Sequence, residues 1–177
     1  MNIFLPYEND IQKSVQSLDD LRLNKQILEC YQLLSNAIKE KNGENIKGYK
    51  NHPIYVHYKN TPYFLSLYGI ACCDEYRYRF NKHHKLYDSI ITANHKAMGI
   101  TYLEKEMKGE KFDTFKYIPF YMEGSKSQPN YIRTYDNVSE LYQKKLINKW
   151  QNDKRQPKWT NREIPSFYKK YLDLIGE

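Results

Sequence analysis

Between Asp20 and Lys39 the apolar residues Leu23, Ile27, Leu28, Tyr31, Leu34 and Ile38 recur at steps of three and four. That is the period of one helix face, and a chain that commits twenty residues to it must bury the stripe against other helices. Asp19 or Asp20 supplies an N-cap, and Lys41-Asn42-Gly43 supplies a polar stop. A second long helix opens at Thr61-Pro62 and carries Phe64, Leu67, Tyr68, Ala71 and Cys72 towards Tyr76 and Phe80. The spacing further predicts a shorter helix over Ser89–Met98 that Gly99 ends, a helix over Val138–Trp150, and a last one from Glu163 or Pro165 to Leu174. Residues 43–53 and 111–133 read as loops, and Pro6 with Glu8-Asn9-Asp10 closes a short apolar start. No Val/Ile-rich alternating run of useful length appears. The expected fold is all-α, a compact single-domain helical bundle over residues 1–177 with a basic, aromatic C-terminal segment at 140–177.

Composition narrows the function classes. A chain of 177 residues buries about 70% of its unfolded surface, and 18 Tyr and 7 Phe supply bulk for the core. No apolar run approaches the roughly 20 residues that span a bilayer, so no membrane partner is expected. The start, MNIFLPYEND, lacks the basic residues and apolar stretch of a signal peptide, which predicts an intracellular protein. Richness in Lys, Asn, Ile and Tyr suits an AT-rich phage or other viral coding sequence, which would place it in the cytoplasm or nucleus of an infected host cell. Cys30, Cys72 and Cys73 are an odd set without zinc-ligand spacing, and the five histidines form no recognised ligand motif. No metal and no cofactor is expected. Phosphate-binding glycine loops, G-x-G-x-x-G, H-E-x-x-H and G-x-S-x-G are all missing.

The formal net charge of +7 is unevenly spread. Glu140–Lys170 holds nine basic residues against three acids, among them Lys154, Arg155, Lys158 and Arg162, interleaved with Trp150, Trp159, Phe167, Tyr168 and Tyr171. A second cluster contains Arg77 and Arg79. Residues 1–30 run the other way, with three basic and five acidic side chains. Cations interleaved with rings fit a polyanion, and rings such as Trp159 and Tyr168, on which bases stack, tip the reading slightly towards nucleic acid. A lysine-rich solvated helix face fits the charge equally well.

Arg22, Lys25 and Glu29 share one face of the first long helix. By spacing alone they read first as an intrahelical ion-pair ladder worth a few tenths of a kcal/mol per pair. In order along the chain, however, come an MNIF start, Asp20 and Glu29 in a D-x-H-x-x-x-x-x-x-E pattern with Arg22 in the histidine place, and the loop Gly48-Tyr49-Lys50-Asn51-His52-Pro53. Then follow Glu75-Tyr76-Arg77-Tyr78-Arg79-Phe80 and Trp159-Thr160-Asn161-Arg162-Glu163-Ile164-Pro165. This ordered set resembles the phage pyrimidine-dimer DNA glycosylases of the endonuclease V type and phage proteins near them. The resemblance implies their all-α fold and bifunctional repair chemistry, base excision with abasic-site lyase activity. It implies an N-terminal α-amine attacking the sugar C1′ and a supporting carboxylate at Glu29. Met1, Glu29, Arg22 and Lys25 are thus the catalytic candidates, with Met1 or Lys25 as the amine. Lys50, His52, Arg77, Arg79, Lys154, Arg155, Lys158, Trp159, Arg162 and Tyr168 are the nucleic-acid-binding candidates. An α-amine, with an ordinary pKa of about 7.7–8.0, is far more often neutral at pH 7 than a lysine. The chain has Asn2 where those enzymes have a small residue, which keeps the initiator Met attached, and six additional residues, Tyr7–Gln12, precede the helix. Two other functions suit the same residues: a non-catalytic nucleic-acid-binding protein, and an enzyme acting on free nucleotides or modified bases.

Overall fold

The computed structural model describes residues 1–110, 117–124 and 132–176. Its elements, in chain order, are α1 (Ile11–Gln16), α2 (Asp20–Lys41), α3 (Pro53–Tyr58), α4 (Pro62–Phe80), α5 (Tyr87–Met107), β1 (Tyr121–Glu123), β2 (Ile132–Thr134), α6 (Val138–Asn152) and α7 (Ser166–Leu174). The fold is all-α apart from the small antiparallel pair β1 and β2, in which Met122 faces Arg133.

α2 and α4 form the centre, with α5 packed against both. The α2 stripe of Leu23, Ile27, Cys30, Leu33 and Leu34 is fully buried. The crossing with α4 is close because Gly69 stands there. A Cβ on Gly69 would come within 3.3 Å of Ile90 Cγ2 on α5 and 3.5 Å of Cys30 Sγ on α2, so a side chain there would require Ile90 to shift.

Ahead of α1 the chain forms no regular element, and its Ile3 and Leu5 are fully buried. Gln26 of α2 holds this segment through every donor and acceptor of its amide. Its Oε1 accepts from the Phe4 N–H (3.0 Å) and lies 2.8 Å from the Tyr68 hydroxyl. Its Nε2 donates to the Asn2 carbonyl (2.7 Å) and to Glu29 Oε2 (3.1 Å).

Four sequence expectations change. A short helix, α1, fills the stretch before Asp20, capped by the Asp10 side chain accepting from the Lys13 N–H. The expected loop 43–53 gives way at its last residue to α3, with His52 as N-cap and Pro53 in the first turn. Gly99 does not end α5, which runs on to Met107 before turning at Gly109 (φ 67). Buried Ala97 and half-buried Ile100 pack on the core on either side of Gly99, and this packing offsets the roughly 1 kcal/mol that glycine costs inside a helix. The expected loop 111–133 contains β1 and part of β2; its residues 111–116 and 125–131 lie outside the described residues. No helix among the described residues is long and apolar enough to cross a membrane.

Candidate active site

Glu29 projects from the middle of α2 and is 9% exposed. Three groups meet its carboxylate: the Asn2 backbone N–H donates to Oε2 (3.4 Å), Gln26 Nε2 donates to the same oxygen, and Lys25 Nζ lies 3.6 Å from Oε1. Since Asn2 N is 3.4 Å from the carboxylate, one peptide unit of chain puts the Met1 α-amine within about 7 Å of it. The additional residues Tyr7–Gln12 do not carry the terminus away, because they fold into the turn before α1 and the first residues of that helix.

Burial lowers the Met1 amine below its ordinary pKa of 8.0; Glu29 opposes the shift, and Lys25, Lys145 and Lys149 add to it. A larger fraction of this amine is therefore neutral and nucleophilic near pH 7 than in a free peptide. His52 stands within electrostatic reach of both groups. Burial lowers its pKa, the Met1 amine lowers it further, and Glu29 raises it. Its Nδ1 accepts from the Ile54 N–H (3.2 Å), which leaves the proton of the neutral ring on Nε2.

Met1, Arg22, Lys25 and Glu29 line one open cavity of about 410 Å³. Lys149, Asp153, Lys154 and Arg155 from the end of α6 complete it, along with Asn2, Phe4, Leu21 and Gln26. The cavity thus joins the acidic start of the chain to its basic C-terminal segment. Arg22 makes a two-bonded pair with Asp153 (2.7 and 3.1 Å) and contacts Asp19 (3.2 Å), so it ties α2 to the end of α6. Lys25, Lys154 and Arg155 keep exposed charged ends at the rim.

Other sequence candidates lie elsewhere. Lys50, Arg77 and Lys158 are exposed and do not line the cavity. Four candidates are engaged by contacts within the chain, Arg79, Trp159 and Tyr168 buried and Arg162 partly exposed. Arg79, with a side chain 0% exposed, pairs with Glu75 (2.8 Å) and Asp20 (2.9 Å). Arg162 donates twice to Glu75 (2.9 Å each) and lies over the Tyr78 ring. Trp159 and Tyr168 are buried against Trp150, and the Trp159 indole donates to the Ser17 carbonyl (3.0 Å). The physical reason is shared. Thr160 donates its N–H and hydroxyl to Asp20, so the Trp159–Arg162 stretch is bolted across the start of α2 and the end of α4. The rings that interleave the basic segment are its own core.

Sequence reading missed Asn2, Gln26, Lys149 and Asp153. The last two are four apart at the end of α6, but nothing local says that this turn faces α2. Among the described residues no group of three His, Cys, Asp or Glu side chains is placed to hold a metal ion.

Residues 1–88 of the 177 match the family model of pyrimidine dimer DNA glycosylases. The matched stretch contains the terminus, Glu29 and the His52 loop, and it supports the likeness to the endonuclease V-type enzymes and a DNA glycosylase-type function. No curated protein and no solved structure gives a significant match.

Proposed function

We propose that this chain, similar over its first 88 residues to the pyrimidine dimer DNA glycosylases, excises damaged pyrimidines from double-stranded DNA and cleaves the resulting abasic strand. One observation carries the reading: a terminal amine of lowered pKa and a buried carboxylate share the wall of one cation-rimmed cavity.

The neutral Met1 amine attacks the sugar C1′ as the C1′–N bond to the base breaks, and the departing base takes up a proton. Loss of the ring oxygen from C1′ then gives an imine. Removal of a C2′ proton expels the 3′ phosphate, and hydrolysis frees the amine. Glu29 opposes the positive charge that develops on the sugar and carries protons between these steps. Its contacts with Asn2 and Gln26 hold it beside the terminus. Lys25, Lys149, Lys154 and Arg155 neutralise phosphates, and the nucleotide leaves the stack to enter the cavity. Arg22 acts through Asp153, closing the far wall rather than holding phosphate.

Borohydride trapping tests this. Incubation with duplexes holding a thymine dimer or an abasic site is expected to give a covalent adduct that peptide mapping places on Met1. Glu29→Gln is expected to lose it. A protein that traps and cleaves no damaged duplex, yet binds undamaged DNA with an affinity indifferent to Glu29, is a binding protein and not this enzyme.

A further inference from the structure

We infer that Tyr49 is a stacking wedge: when the damaged nucleotide leaves the duplex for the cavity, the Tyr49 ring covers the face of a base left bare beside it. The inference rests on the reading of the cavity as a base-excising site and names a residue that holds the opened duplex.

Tyr49 holds its backbone at φ 53, in the left-handed region that a bulky side chain rarely adopts. The other non-glycine residues at positive φ among the described residues are Asn81, Asn137 and Asn161. Asparagine tolerates that region because its short polar side chain bonds locally, so it suits a turn that asks for nothing else. Tyrosine has no such compensation. Core packing does not offset the strain either, since Tyr49 is 45% exposed. Backbone strain that the fold does not require gathers at ligand-binding segments, and what this strain presents is an aromatic ring on a loop.

Two contacts place that loop beside the cavity. Asn36 Nδ2 donates to the Gly48 carbonyl (3.4 Å). Asn36 follows Glu29 on α2 by two turns, so the two lie on nearly the same helix face, about 10 Å apart along the axis. The loop therefore rests on α2 just beyond the carboxylate. The Tyr49 ring also meets the His52 ring edge-on, with centroids 6.2 Å apart, and His52 feels the charges of the Met1 amine and Glu29. Tyr49 does not line the cavity, so it is not placed to hold the extruded base. It is placed for a base that stays in the duplex.

The chemistry agrees. Extrusion of a nucleotide leaves a flanking base with one face open to water. An aromatic ring covers such a face whatever the base, because every base has a π-face. Side chains that enter a base step in this way keep the duplex kinked. Exposed Lys47 and Lys50 flank the ring in the chain and draw a phosphate backbone to the same loop.

The test uses Tyr49→Asn, which the left-handed backbone accepts, and Tyr49→Phe, which keeps the ring. Affinity is measured in the Glu29→Gln background, for a duplex containing a thymine dimer and for the same duplex undamaged. Tyr49→Asn is expected to bind the dimer duplex about ten-fold more weakly, the worth of one stacked base, and the undamaged duplex as tightly as its parent. Tyr49→Phe is expected to match the parent on both. Tyr49→Asn alone is expected to melt at or above the wild-type temperature, because it relieves the backbone. Unchanged dimer affinity in Tyr49→Asn, an equal loss on both duplexes, a loss that Tyr49→Phe shares, or a lowered melting temperature would each overturn the inference. If wild-type protein cleaves no damaged duplex while the ring-dependent preference for it persists, the excision reading fails and the role of Tyr49 stands.

Discussion

Replacing Gln26 with leucine separates the positioning of the terminus from the chemistry. The two side chains are similar in size, so no large cavity opens at this buried site. Two buried backbone groups lose their partners, the Phe4 N–H and the Asn2 carbonyl. The Tyr68 hydroxyl keeps the Phe4 carbonyl, 2.8 Å away, and Glu29 keeps the Asn2 N–H. At about 1–3 kcal/mol for each orphaned group the loss is about 2–6 kcal/mol. For a chain of this size that lowers the melting temperature on the order of 10 °C. Urea titration and a thermal melt give the stability. Borohydride trapping, run well below the melting point, gives the consequence for the amine. A misplacement of about 1 Å costs on the order of 100-fold in rate, and that loss is expected although Gln26 acts only through Glu29 and the backbone of Asn2 and Phe4. An unchanged melting temperature would refute the energetic reasoning. Full trapping in a clearly destabilised protein would show that burial of Ile3 and Leu5, not Gln26, holds the terminus.

Two further outcomes follow from the same geometry. The trapping rate is expected to rise with pH as the Met1 amine loses its proton, with its midpoint below the ordinary 8.0 because burial depresses that pKa; Lys25→Met, which removes a neighbouring cation, is expected to move the midpoint upward, and a midpoint above 8.0 would contradict the burial. Lys154→Ala and Arg155→Ala are each expected to reduce the salt slope of DNA binding by about 0.9, whereas Arg79→Met is expected to leave the slope alone and cost about 1–3 kcal/mol in urea titration, because Glu75 keeps Arg162 and Asp20 keeps Thr160.

Local pattern was enough for α2, α4, α6 and α7, because each repeats an apolar face over several turns. It failed where the deciding contact is distant. Gly99 looks like a helix end until Ala97 and Ile100 are seen packed against the core. Glu29 was legible in the sequence through the ordered resemblance, and the cations of the C-terminal segment were legible as charge. Their division was not. Lys154 and Arg155 reach the cavity, while Arg162 and Arg79, equally basic in sequence, spend their charge on Glu75 and Asp20. Trp159 and Tyr168 carried a stacking signal that a buried aromatic cluster produces as readily. Asn2 looked only like a departure at a position where a small residue was expected, and nothing in its neighbours along the chain marks its backbone N–H as a partner of Glu29.

The cavity draws one wall from residues 1–29 and the other from residues 149–155, and the Trp150 indole reaches back to Asp19 across 131 positions. Such a contact forms only after the segments between have been placed, which makes its closure late and slow among folding events. During synthesis the amine and Glu29 leave the ribosome early, but the rim that would hold a phosphate backbone does not exist until residue 155 has followed. On the proposed reading, a nascent chain therefore carries the amine and the carboxylate with no rim to grip DNA, and the cavity is complete only when the last helices dock.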